Sequence, residues 1–236
     1  MPHPHRHLAR TARLLPLAVL LVVASGATPA ADCLVIAHRG ASGYLPEHTL
    51  PAYRLGALLG ADYLEPDLVL TKDGALVARH EPGLGATTDV AARPEFAARR
   101  RPRTVAGRTT DDWWSDDFTL AELRTLRARE RIPELRPGNA RFDGAFGVPT
   151  FAEILDLRAD LSRELGRSVG VYPELKSPAL FRAAGLDPEA ALAAELTARG
   201  LAGRDAPVIV QSFDPDSLRR LRERVAVRRV QLLPLE

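Results

Sequence analysis

The sequence holds one cysteine, Cys33, so no internal disulfide can form. It is nearly empty of lysine. Only Lys72 and Lys176 occur among 32 basic residues, and the rest are arginine. Aromatic residues make up 6% and form no apolar cluster suited to gripping a bilayer. Strong net charge is also missing. The formal value is +2, and it becomes −1 without residues 1–31, which carry three arginines and no acid. That near-neutral balance excludes nucleic-acid affinity from bulk charge.

There is one long apolar run, LLPLAVLLVVASGA. It is short for a membrane span and is interrupted by Pro16. Arg6, Arg10 and Arg13 precede it, and small residues up to Ala30 and Ala31 follow. A basic start, an apolar middle and a small-residue end predict a secretory signal peptide over 1–31, and with it export to a periplasm or the medium. No stable membrane insertion is expected after cleavage. Acylation at Cys33 is disfavoured by Asp32 directly before it.

Beyond that leader, apolar β-branched runs alternate with helical patterns. Strands are predicted at 33–38, 63–70, 75–80, 169–175, 207–213 and 228–235. Helices are predicted at 49–60, 150–166, 187–200 and 214–225. Thr49, Thr150 with Glu153, and Asp187 with Pro188 stand where helix caps belong. The alternation predicts an α/β fold of parallel strand–helix units. Residues 81–148 break the pattern and read as an insertion, with one helix over 118–128. Its run AARRRPR reads as a solvated face, and Trp113 and Trp114 as packing.

Polar residues fall late in the predicted strands. His38 and Arg39 end the first, Glu65 and Asp67 sit on the second, and His80 ends the third. Glu174 and Lys176 end the fourth, and Gln211 lies on the fifth. Chemistry in α/β folds collects at the C-terminal ends of strands. Residues two apart on a strand share a face, so Glu65 pairs with Asp67 and Glu174 with Lys176. Three converging carboxylates need a cation, and hard oxygen ligands suit Ca²⁺ or Mg²⁺ rather than Zn²⁺. Two strand-end imidazoles beside Arg39 and Lys176 suit acid–base work on a phosphodiester. His48 is assigned to holding its loop or the first helix.

The segments VIAHRGASGYLPEHTLPAY, GADYLEPDLVLTKDGALVARHE, VGVYPELKSP and VQSFD occur in that order. In this the chain closely resembles the periplasmic glycerophosphodiester phosphodiesterase family over 33–236, insertion included. The resemblance implies a TIM-type barrel that hydrolyses glycerophosphodiesters, such as glycerophosphocholine, to sn-glycerol 3-phosphate and an alcohol. It implies His38 and His80 as catalytic residues and Glu65, Asp67 and Glu174 as ligands of a divalent metal, Ca²⁺ in the periplasmic branch, with Mg²⁺ as the alternative. Arg39 and Lys176, with Gln211, would hold the substrate. Glu81 stands where the family commonly has aspartate. Counting six strands predicts a partial barrel, truncated after strand six, whose open edges would expose apolar residues. A truncated, non-catalytic fragment that binds at most metal or phosphodiester is the alternative.

Overall fold

The structure is a computed structural model that describes residues 33–105 and 107–234. The predicted leader at 1–31 lies outside the described residues.

Strand β1 (Ile36–His38) leads into helix α1 (Leu50–Leu58). Thr49 caps α1 by accepting a hydrogen bond from the Ala52 amide, and Pro51 follows at the start of the first turn. Gly40 lets the loop between them lie on the helix. Its φ is +80°, and a Cβ there would sit 2.6 Å from the Ala52 carbonyl carbon.

The predicted strand at 63–70 is divided into β2 (Tyr63–Glu65) and β3 (Asp67–Leu70) by Pro66. Strand β4 (Leu76–Ala78) follows. The predicted strand at 169–175 is likewise divided into β7 (Gly170–Val171) and β8 (Glu174–Leu175), with Pro173 in the gap. Proline brings no N–H to a ladder, but its carbonyl still accepts. The Glu174 amide donates to the Pro66 carbonyl at 2.9 Å, and the Gln211 amide to the Pro173 carbonyl at 2.9 Å. The ladder therefore runs on across both breaks. Strands β9 (Ile209–Ser212) and β10 (Arg228–Gln231) complete the parallel series. Parallel pairs run β1–β2, β2–β7, β3–β8, β8–β9 and β9–β10.

One expectation is overturned. The run 75–80 is not a parallel barrel strand: β4 pairs antiparallel with β3, Leu70 opposite Leu76. The connection from Thr71 to Ala75 is a tight turn, with Gly74 at φ +80°. A parallel crossover needs a dozen or more residues, so this spacing permits only a hairpin. The parallel series among the described residues therefore has five members, not six. There β1 pairs only with β2 and β10 only with β9, and Leu34, Val35, Ile36 and Val230 are exposed along these edges.

The insertion has more structure than its sequence pattern suggests. It carries a hairpin of β5 (Arg101–Val105) and β6 (Arg108–Asp112), and short helices α2 (Leu120–Leu123) and α3 (Pro137–Ala140). The helix expected over 118–128 is cut to α2, because Arg127 and Ala128 turn into bridges with Gly147 and Thr88. Leu84, Val90, Phe96, Trp113, Phe118 and Leu126 join the main core, so the insertion is fused to the barrel. Helices α4 (Phe151–Glu164), α5 (Pro178–Ala183), α6 (Pro188–Ala198) and α7 (Pro215–Arg222) pack around the sheet. Thr150 and Glu153 form the expected capping box. Helix α5 was not expected; Pro178 starts it directly after Lys176 and Ser177.

Candidate active site

Strand register sets the candidate residues at one level. His38 lies opposite Glu65 on the paired strands β1 and β2. Asp67, Glu174 and Gln211 stand side by side on β3, β8 and β9. Glu65, Asp67 and Glu174 are all buried and each offers a carboxylate oxygen within 4.8 Å of the others. Three non-glycine residues around this rim take left-handed backbone: Arg39 (φ 62°), His48 (φ 55°) and Ser177 (φ 45°). Each such residue costs on the order of 1 kcal/mol, which the packing around the rim must offset.

The carboxylates sit in contrasting surroundings. Glu65 accepts from the Arg39 amide at 2.9 Å and from the Gln211 side-chain amide at 3.0 Å. Burial, and then the Asp67 charge, still push its pKa up to about 9. Burial also raises that of Glu174, against the pull of Lys176. Asp67 goes the other way: burial opposes its charge, but the His48 hydrogen bond, followed by nearby positive charge including Lys176, holds it below the usual carboxylate range. Its Oδ1 atom is buried with no hydrogen-bond partner. Lys176 Nζ lies 2.8 Å from Glu174 and 3.8 Å from Asp67. A buried orphan acceptor amid three converging carboxylates, two of them reluctant to ionise, fits a hard divalent cation.

His48 explains part of this. It is wholly buried, and burial lowers its pKa, which keeps the ring neutral. Its Nε2 lies 2.9 Å from Asp67 and its Nδ1 2.6 Å from the Tyr53 hydroxyl. An ionised Asp67 can only accept, so Nε2–H donates to it and the Tyr53 hydroxyl donates to Nδ1. The expected loop-holding role is thus joined by a direct grip on Asp67.

The two rim histidines differ in their surroundings. His38 is exposed at the end of β1; partial desolvation, and then the Arg39 charge, lower its pKa, and His80 is close enough to add to the effect. His80 is half-buried, with Nδ1 2.5 Å from Glu81 Oε1. Arg39 stands between two acids, its Nη1 3.2 Å from Glu47 and its Nε 3.4 Å from Asp67. A cavity of about 630 Å³ opens beside His80, lined by it and by Glu81, Glu174, Lys176, Leu180 and Phe213 among others. Phe213 is half exposed there, with Lys176 Nζ 5.8 Å from its ring centre.

All eight residues singled out in the sequence reach this rim. Four that matter to its geometry were not among them. Glu47 receives Arg39 and Arg131; Arg131 comes from the insertion; Tyr53 sits on α1 behind His48. Arg79 is fully buried, and its guanidinium donates to the carbonyls of Thr87 at 3.1 Å and His48 at 3.0 Å. Glu47 lay inside a quoted motif, next to His48. Arg131 lies in an aperiodic stretch that gives no local signal.

The TIM-type α/β fold thus carries an acidic cluster that could hold a metal ion, with two imidazoles and two cations near it at the strand ends. The chain belongs to the glycerophosphoryl diester phosphodiesterase family, whose model matches residues 38–235. It is 35% identical over 200 residues to a glycerophosphodiester phosphodiesterase of Haemophilus influenzae, covering 81% of this chain and 52% of that one. It is 42% identical over 143 residues to another from Arabidopsis thaliana, covering 61% of this chain and 37% of that one. Among solved structures, it resembles a chain from Silicibacter pomeroyi assigned as a glycerophosphoryl diester phosphodiesterase. That match has a TM-score of 0.66 at 27% identity and covers 86% of this chain and 65% of that chain. The chain spans about half the length of the curated bacterial relatives it matches. No described helix is long and apolar enough to cross a membrane.

Proposed function

We propose that this chain hydrolyses glycerophosphodiesters, such as glycerophosphocholine and glycerophosphoethanolamine, to sn-glycerol 3-phosphate and an alcohol. The basic, apolar, small-residue leader supports an exported site of action, in a periplasm or the medium. One observation carries the catalytic reading: His38, His80, Arg39 and Lys176 surround a cluster of three buried carboxylates at a single end of the sheet.

In this reading Glu65, Asp67 and Glu174 hold the divalent ion, Ca²⁺ first and Mg²⁺ as the alternative. When bound, such an ion draws charge from the phosphoryl oxygens. Arg39 and Lys176 bind those oxygens and stabilise the charge that builds on them. Gln211 keeps Glu65 in place through its amide and borders the substrate. One rim imidazole accepts the proton of the glycerol hydroxyl next to the phosphate as that oxygen attacks phosphorus. The other donates a proton to the departing alkoxide. A cyclic phosphate results, and the same pair with roles exchanged admits water and opens it.

The test is release of sn-glycerol 3-phosphate from glycerophosphocholine by the purified chain, with calcium and with a chelator. Calcium-stimulated release that disappears in His38→Ala supports the proposal. Calcium binding without turnover favours a non-catalytic, ligand-binding chain instead.

A further inference from the structure

We propose that Arg131, contributed by the insertion, is a positioning residue that holds His80 in its working orientation by clamping Glu81 to Glu47. This rests on the hydrolytic reading above.

Arg131 sits between two acids from different segments, Glu47 before α1 and Glu81 after β4. Its Nη1 donates to Glu81 Oε1 at 2.8 Å and its Nη2 to Glu81 Oε2 at 2.7 Å. Toward the other side, Nε donates to Glu47 Oε2 at 2.9 Å and Nη2 to Glu47 Oε1 at 2.7 Å. Two forked pairs on one planar guanidinium fix direction as well as distance, which a flexible ammonium does not. Glu81 passes the constraint to His80 through Oε1 and the imidazole Nδ1. Glu47 passes it to Arg39, whose Nη1 it receives at 3.2 Å. One side chain thus reaches both the imidazole and the phosphate-facing arginine.

The segment that carries Arg131 is itself anchored. The Arg129 amide donates to the Thr87 carbonyl at 2.9 Å, and the Glu130 amide to Asp143 at 2.7 Å. Glu130 is buried and receives the Asn139 amide at 3.0 Å. Arg131 is therefore presented from a fixed loop. An imidazole bound only by its sequence neighbour could swing with it; Arg131 removes that freedom by tying Glu81 to a second element.

The experiment compares Arg131→Met, Arg131→Lys and Glu81→Gln with wild type, and Arg101→Ala as a control from an exposed ion pair of the same insertion. Two readouts are taken: steady-state hydrolysis of glycerophosphocholine with calcium, and the downfield imidazole N–H resonance of His80 in proton NMR. Arg131→Met is expected to lower kcat by about 10- to 100-fold with KM within about twofold, the mark of lost alignment rather than lost binding. Arg131→Lys recovers part of that loss. Combining Arg131→Met with Glu81→Gln adds little to the worse single change, because both act through one contact chain. The resonance disappears in Glu81→Gln and broadens in Arg131→Met, while Arg101→Ala changes neither readout. An unchanged kcat together with an unchanged resonance in Arg131→Met overturns the proposal. So does an equal fall in kcat and melting temperature that Arg131→Lys does not relieve, which marks a mere tether of the insertion. Wild-type protein that shows no turnover but whose resonance responds as described overturns the hydrolytic reading and leaves the clamp standing. Should Arg131→Met fail to fold, Arg131→Lys and Glu81→Gln carry both readouts.

Discussion

Glu65 on the barrel rim and Glu122 in the insertion are the same side chain with opposite fates. Glu65 is buried, faces Asp67, and has its pKa pushed up to about 9. Glu122 is drawn down to about 2, first by the Arg99 hydrogen bond and then by the Thr119 amide. The wider regions repeat the contrast. In the insertion Arg99, Arg101 and Arg103 each meet an acid, Glu122, Asp117 and Asp116, in pairs partly open to water. Those pairs neutralise the arginine-rich run and leave a solvated face, as its sequence suggested. On the rim, three buried carboxylates outnumber the two cations, Arg39 and Lys176, beside them. Desolvation and unequal numbers, rather than residue type, make one region a candidate for chemistry and the other a cover.

The contrast predicts where substitutions bite. The largest effect belongs to the imidazoles. His38→Ala and His80→Ala should each lower kcat by about 10²- to 10⁴-fold with the fold intact, measured as glycerol 3-phosphate release beside circular dichroism. Next comes buried Arg79. Arg79→Met strands the carbonyls of Thr87 and His48 and should destabilise the protein by about 3 kcal/mol in urea unfolding. A change below about 1 kcal/mol would mean that water replaces the guanidinium there. Glu81 provides a smaller, pH-dependent effect. Burial opposes its charge, yet hydrogen bonds from His80 and Arg131 hold its pKa at about 2. The folded carboxyl takes a proton less readily than the unfolded one. Its contribution is complete above the unfolded value of about 4.3 and is lost as pH falls toward 2. The stability gap between wild type and Glu81→Gln should therefore shrink over that window, and a gap that stays constant would refute the pairing. The smallest effect is Arg101→Ala, an exposed pair, at no more than about 1 kcal/mol by the same urea method.

What the sequence disclosed followed from local rules. Thr49, Thr150 with Glu153, and Asp187 announced α1, α4 and α6, because capping is settled within four residues. The strand-end positions of His38, Glu65, Asp67, His80, Glu174 and Lys176 could be read off apolar runs, and the register sets His38 beside Glu65 and Asp67 beside Glu174. The hairpin β3–β4 was legible in principle, since five residues between apolar runs cannot make a parallel crossover, but alternation masked it. The β5–β6 hairpin was not legible. Its strands are mostly arginine, threonine and aspartate, with no apolar periodicity; Thr104 meets Thr109 across them, and Arg101 and Arg103 pair with Asp117 and Asp116 beyond β6. Nor was the Arg131–Glu47 contact, whose partners lie 84 residues apart and meet only when the insertion folds onto the rim.

The proposed function stands on Glu65, Asp67 and Glu174 forming one oxygen-donor site for a divalent ion. A calorimetric titration of the purified chain with calcium tests it most directly. One ion per chain is expected, with the binding heat lost in Asp67→Asn. No heat in the wild-type protein, or calcium binding undiminished in Asp67→Asn, would contradict it.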